Sequence, residues 1–268
     1  MSRYRAMFET LSNRNEGALG AFLMLGDPDL HTSARLLDEA VEAGADMIEV
    51  GIPFSDPVAD GPVIQAAARR ALVAGVRVGD CFGLIAALRA RHSDVPIGIL
   101  TYANIVVARA GFIRDAAEAG ADSLLIADVP ALEAEPYVRE VEQAGIEPVL
   151  IAAPNTPNLT LRRIASLSKA YTYCVSRSGI TGTHEGGQFN RGLIERLEAS
   201  GAPAPIFGFG ISRPEHVRSA LEAGARGVIC GSAIVDRASR HGSVSEVVGL
   251  LKTATFNDKG GTTRGRND

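Results

Sequence analysis

One phrase recurs along the chain: EAGAD at 42–46 and again at 118–122, QAGIE at 143–147 and EAGAR at 222–226. Each time an Ala- and Glu-bearing helix tail meets a glycine, and an apolar run follows at once: DMIEVG, DSLLIAD, EPVLIA and RGVICG. Glycine just past a helix end supplies the left-handed backbone that stops the helix, so each phrase is a joint where a helix gives way to a strand. A joint used four times commits the chain to alternating helices and strands. Further apolar runs predict strands at 18–25, 96–100, 171–176 and 205–209, which brings the total to eight, near 19, 47, 97, 123, 148, 172, 206 and 227. Helical spacing is expected over 3–12, 32–43, 62–74, 80–91, 110–119, 132–144, 160–168, 190–199 and 213–223, with more helix after Gly231.

Strands that are apolar on both faces belong to parallel sheets covered by helices, and eight strand–helix units favour closure. The fold class expected is therefore α/β: a single-domain (βα)8 TIM barrel over 1–255, with a short N-terminal helix whose Tyr4, Met7, Phe8 and Leu11 form a lid on the core. A chain of 268 residues suits one such barrel. The tail 256–268 has no periodicity and is expected to be disordered. The alternative is an open doubly wound sheet. GFG at 208–210 resembles a dinucleotide loop, but Arg213 stands where the third glycine of that fingerprint belongs.

A net charge of −4 without any long Lys/Arg cluster argues against nucleic-acid and anionic-membrane surfaces. The N-terminal MSRYRAMFETLSNR has no apolar signal core, and no segment approaches the roughly 18 unbroken apolar residues of a span. The expected location is the cytoplasm. Cys81, Cys174 and Cys230 are far apart in apolar segments and read as buried free thiols. The five histidines show no ligand spacing, so no metal site is expected.

Within the second strand, Glu49 interrupts an apolar run, and Asp60 follows on the Pro- and Gly-broken loop beyond it. A carboxylate in a buried strand is costly unless it is paired or employed. Two acids in different environments suit general acid/base chemistry. A surface-facing Glu and a helix-capping Asp remain the other reading of the same pattern. In barrels of this kind the site lies at the C-terminal strand ends. There, SRSGITG at 176–182, GFGIS at 208–212 and GS at 231–232 offer backbone amides and a helix start to an anion, with Ser212 and Glu215 expected to form a capping box. Tight turns alone would also explain such glycines. Phe22, Leu100, Tyr102, Leu125, Ala127, Ile151, Tyr173 and Phe209 are placed to line the mouth, which suits a phosphorylated metabolite with a flat apolar ring.

The segments GDP (26–28), EVGIPFSDPVADGPVIQ (49–65), TYAN (101–104), LIADVP (125–130), YTYCVSRSGITG (171–182), GFGIS (208–212) and GSAIV (231–235) together resemble the tryptophan synthase α-subunit family, in order over nearly the whole chain. The resemblance implies a lyase in tryptophan biosynthesis that cleaves indole-3-glycerol phosphate to indole and glyceraldehyde 3-phosphate. It implies Glu49 as catalytic acid/base, Asp60 as acceptor of the indole N–H and Tyr173 beside the reacting side chain. It further implies Phe22, Leu100, Leu125, Ala127, Ile151 and Phe209 around the indole, Gly182, Gly210, Gly231 and Ser232 at the phosphate, and Thr181 in a loop that closes over Asp60. Asp56, Pro57 and Asn104 resemble the surface for a β subunit in an αββα heterotetramer. No cofactor is implied for this chain, pyridoxal phosphate being expected only on the β partner. The segment THEGGQFN at 183–190 departs from the family pattern.

A stand-alone indole-releasing lyase and a non-catalytic regulator of the β subunit are the competing functions. Sugar-phosphate epimerases and phosphoribosyl isomerases share glycine joints of this kind but do not require PFSDPxADGP.

Overall fold

The computed structural model describes residues 1–176, 189–240 and 242–256. In chain order the elements are α1 (Arg3–Asn13), β1 (Ala18–Met24), α2 (Leu30–Glu42), β2 (Met47–Gly51), α3 (Pro62–Val73), α4 (Val78–Arg91), β3 (Ile97–Thr101), α5 (Ala103–Ala108), α6 (Phe112–Glu118) and β4 (Ser123–Ile126). The second half comprises α7 (Glu135–Gln143), β5 (Glu147–Pro148), β6 (Leu150–Ala152), α8 (Asn158–Leu167), β7 (Thr172–Cys174), α9 (Arg191–Ala199), β8 (Pro205–Phe207), α10 (Pro214–Glu222), β9 (Gly227–Cys230), α11 (Ser232–Ser239) and α12 (Val244–Lys252).

Every strand pair is parallel, in the order β5-β4-β3-β2-β1-β9-β8-β7-β6. The two ends of that order, β5 and β6, are one stave interrupted at Val149. Pro148 has no N–H to give; the Val149 N–H bonds Leu124 O at 3.0 Å, and the Leu150 N–H turns to Ser168 Oγ at 3.3 Å. The eight expected staves are thus present, the fifth split in two, and the open-sheet alternative is excluded by the closure.

The recurrent joints do what their sequence requires. Gly44, Gly120, Gly145 and Gly224 all have positive φ, between 79° and 105°. The aspartates of the two EAGAD phrases play identical parts. Asp46 Oδ2 accepts the Leu19 N–H and Asp122 Oδ2 the Ile97 N–H, each at 2.8 Å, while their own N–H groups bond back to Leu19 O and Ile97 O. Each carboxylate also has a cation: Lys252 for Asp46, and Arg3 and Arg89 for Asp122. The phrase is therefore a clamp that pins each new strand to its neighbour.

Strand alternation separates two apolar layers. On β1, Leu19, Ala21 and Leu23 face the helices, whereas Phe22 and Met24 join the barrel interior with Met47, Leu100, Leu125, Tyr171, Tyr173, Ile206 and Ile229. Helix α1 closes the N-terminal end of the barrel. Its Tyr4 is fully buried, packs on Tyr171 with ring centroids 5.5 Å apart and shares a 2.8 Å hydrogen bond with Ser123 Oγ. Cys81, Cys174 and Cys230 are free and buried, as expected. Phe256, assigned to the tail from the sequence, forms a bridge with Glu16; 257–268 lie outside the described residues. Among the described residues, no single helix is long and apolar enough to cross a membrane.

Two local expectations fail. Helix α5 was not anticipated, because Ile105, Val106 and Val107 form a β-branched run; the Asp128 carboxylate accepts the Ala103 N–H at 2.8 Å and starts the helix. Ser212 and Glu215 do not make a capping box. Pro214 takes the first helical position, the N-cap falls on Arg213 without a side-chain bond, and Ser212 turns to His216 Nδ1 instead.

Candidate active site

Glu49 sits mid-strand on β2, in register with Phe22 of β1 and Gly98 of β3, and its side chain enters the barrel interior at 1% exposure. One oxygen, Oε1, accepts the Tyr171 hydroxyl at 2.9 Å; Oε2 is buried with no hydrogen-bond partner among the described residues. Burial pushes its pKa up to about 8, with the Tyr171 hydrogen bond opposing the rise and the nearby Asp60 charge adding to it. Near neutral pH the group therefore holds a proton that it can give away and take back. Gly98 leaves room for this floor, since a Cβ there would stand 2.7 Å from Ser123 Oγ and 2.8 Å from the Tyr4 hydroxyl.

Asp60 is 8% exposed, on the loop that leads into α3. Its position is set from several sides: its N–H bonds Pro57 O at 3.1 Å, its carbonyl accepts Gln65 Nε2 at 2.8 Å, and the preceding Ala59 N–H bonds the Tyr102 hydroxyl at 3.2 Å. Burial raises its pKa to about 6, opposed by the Tyr102 hydroxyl beside it. The two acids therefore differ in protonation near pH 7, Glu49 tending to the acid and Asp60 to the carboxylate. That division suits one group that moves protons and another that stabilises positive charge.

Tyr173 lies on the same β7 face as Tyr171 would continue, close enough to both acids for their charges to raise its pKa well above the usual value, behind burial as the main cause. Its hydroxyl donates to Gly208 O at 3.1 Å, and its ring meets Phe209 edge-on at 5.8 Å. Gly208 is required here: a Cβ would lie 1.9 Å from the Tyr173 ring. Phe22, Leu100 and Leu125 are buried in the same interior cluster as Tyr173, with Ala127, Ile151 and Phe209 packed against it. All six apolar residues singled out from sequence thus belong to the interior cluster on the side of the sheet that Glu49 enters.

The glycine joints expected to seat an anion are described in part. Gly210 adopts φ +80°, and Gly231 caps α11 without a side-chain bond, so Ser232 begins a helix whose free N–H groups face this end of the barrel. The Phe22 ring lies 3.5 Å from where a Gly231 Cβ would project, which joins the apolar cleft to that helix start. Thr181 and Gly182 lie outside the described residues. Asp56 and Asn104 are exposed and Pro57 is half-buried. A shallow cleft of about 470 Å³ opens beside them between Phe54, Arg77, Asn104 and Arg109. Among the described residues no group of His, Cys, Asp and Glu could hold a metal ion.

Sequence reasoning missed the partners of the acids. Tyr171 was legible in principle, since it precedes Tyr173 by two residues and period-two alternation places both on one face. The roles of Tyr102, Tyr4 and Ser123 come from contacts distant in sequence and leave no local pattern, whereas Gln65 reaches Asp60 from only five residues on.

A family model described as "Tryptophan synthase alpha chain" matches residues 8–258. The tryptophan synthase alpha chain of Vibrio cholerae serotype O1 is 47% identical over 244 residues, covering 90% of this chain and 91% of that one. That of Serratia proteamaculans is 46% identical over 260 residues, 96% of each chain. Among solved structures, Mycobacterium tuberculosis tryptophan synthase superposes with a TM-score of 0.87 at 30% identity, over 96% of this chain and 99% of that one. The tryptophan synthase subunit alpha of Legionella pneumophila superposes with a TM-score of 0.85 at 26% identity, over 95% and 98%.

Proposed function

This chain belongs to the tryptophan synthase alpha chain family, the lyase component of the enzyme that acts in tryptophan biosynthesis, and from that premise we propose how its residues carry out the cleavage. The substrate is indole-3-glycerol phosphate. The Glu49 carboxyl gives its proton to the ring carbon that bears the glycerol chain, which converts the indole to a cationic indolenine. Asp60, as carboxylate, accepts the ring N–H and stabilises that charge. The bond between ring carbon and side chain then breaks. Its electron pair restores the aromatic ring, the side-chain hydroxyl proton returns to Glu49, and the carbinol carbon becomes the aldehyde of glyceraldehyde 3-phosphate. Indole leaves and Glu49 is again protonated.

The observation that carries this reading is the pair of buried acids with pKa values near 8 and 6 at one apolar mouth. Tyr173 packs beside the reacting chain, while Phe22, Leu100, Leu125, Ala127, Ile151 and Phe209 hold the ring. Gly210, Gly231 and Ser232 are assigned to the phosphate, and the assignment extends to Gly182, with Thr181 assigned to substrate binding.

We also assign Asp56, Pro57 and Asn104 to contact with a tryptophan synthase β subunit in an αββα assembly. Their neighbours Val58 and Val107 are 67% and 83% exposed, an apolar rim of the kind a partner covers. Pyridoxal phosphate belongs to that partner, this chain needs no cofactor of its own, and a cytoplasmic location goes with the role. Cleavage rates with and without an added β subunit test the assembly: stimulation supports it, and full activity alone favours a stand-alone lyase.

A further inference from the structure

A single ion pair ties the turn after β1 to helix α3. Arg70 Nε and Nη2 donate to Asp27 Oδ1 and Oδ2, each at 2.7 Å. Asp27 is 5% exposed and Arg70 half-buried, and the pairing raises the Arg70 pKa. A two-point guanidinium–carboxylate contact fixes orientation as well as separation.

The rest of α3 needs such a fixture. Its buried face is Ile64, Ala67, Ala68 and Ala71, three of them alanines, resting against β1 and α11. Methyl groups give a helix few ridges to lock into grooves, so apolar packing holds this surface close without strongly setting its slide or rotation. What α3 carries at its start is Asp60, one residue before the N-cap Gly61 and bonded through its carbonyl to Gln65 of the first turn. What Asp27 follows is β1, which bears Phe22. The ion pair thus joins the frame of the indole cleft to the frame of the acid that meets the indole nitrogen, across about 12 Å of helix.

We infer that Arg70, held by Asp27, is a positioning residue for the cleavage, placing the Asp60 carboxylate against the ring nitrogen of the substrate. This inference rests on the reading of Asp60 as the indole N–H acceptor. A clamp that served stability alone would act on every bound group alike; a positioning clamp acts through Asp60.

The test is a double-mutant cycle with 3-(indol-3-yl)propyl phosphate, which has the ring and the phosphate but no hydroxyl to allow cleavage. Its Kd is measured for Arg70→Met in the native, Glu49→Gln and Asp60→Ala backgrounds, each checked by thermal melting. Arg70→Met is expected to weaken binding about tenfold in the first two backgrounds and less than about twofold in Asp60→Ala. Should Arg70→Met fold poorly, Arg70→Lys, which keeps the charge but loses the two-point contact, carries the same cycle with a smaller loss. An equal factor in all three backgrounds, or no loss in the native one, overturns the inference while leaving the role of Asp60 intact. An Asp60→Ala variant that binds and turns over like the native chain removes the Asp60 reading, and this inference with it.

Discussion

The Tyr171 hydroxyl donates its hydrogen bond to only one oxygen of Glu49, at 2.9 Å, and the second oxygen of that buried carboxyl has no hydrogen-bond partner among the described residues. A buried acid is least costly with both oxygens satisfied, because each unsatisfied buried acceptor costs about 1–3 kcal/mol. Glu49 is instead held at one oxygen and left free at the other, which is what proton exchange with a bound molecule requires.

Tyr171→Phe removes the one contact that favours the charged form of Glu49, so the Glu49 pKa rises above its present value near 8. The limb of the pH profile of kcat/KM that reports Glu49 is expected to move to higher pH. A shift to lower pH, or none, contradicts the assignment of that limb.

Glu49 also makes stability depend on pH. Its folded pKa is raised from 4.5 to about 8, so the folded state holds the proton more tightly than the unfolded chain does. The associated stability is complete below about pH 4.5 and is lost as the pH rises through 8. Glu49→Gln cannot titrate. Melting temperatures measured from pH 5 to 8.5 should show the native protein losing ground to this variant as the pH rises; parallel curves would contradict the raised pKa.

Gly208→Ala places a methyl within the Tyr173 ring. Backbone and ring must both shift, at a cost of about 1–3 kcal/mol, and cleavage should fall more than phosphate binding because Tyr173 lies beside the acids. Urea unfolding with steady-state kinetics checks both parts. An unchanged kcat would remove Tyr173 from the site.

How much of this was legible in the chain follows from how local each signal is. The eight staves could be read because the glycine joints are contiguous phrases, and the same phrases turned out to carry the Asp46 and Asp122 clamps. Glu49 was visible as a charge inside an apolar strand. The contact of Asp60 with Tyr102 was not, and neither was Arg70 with Asp27, 43 residues apart, since long-range pairs leave no periodic trace. Ser212 failed as a cap because Pro214 moved the helix start by one residue, and α5 escaped because its β-branched residues read as extended chain.

Indole release from indole-3-glycerol phosphate by the purified native chain, beside Glu49→Gln and with substrate binding measured in parallel, tests the account most directly. The native chain should release one indole per glyceraldehyde 3-phosphate; Glu49→Gln should bind substrate within a few-fold of the native affinity and lose about a thousandfold or more in turnover. Substantial indole production by Glu49→Gln, or none from the native chain even with a β subunit present, would contradict it.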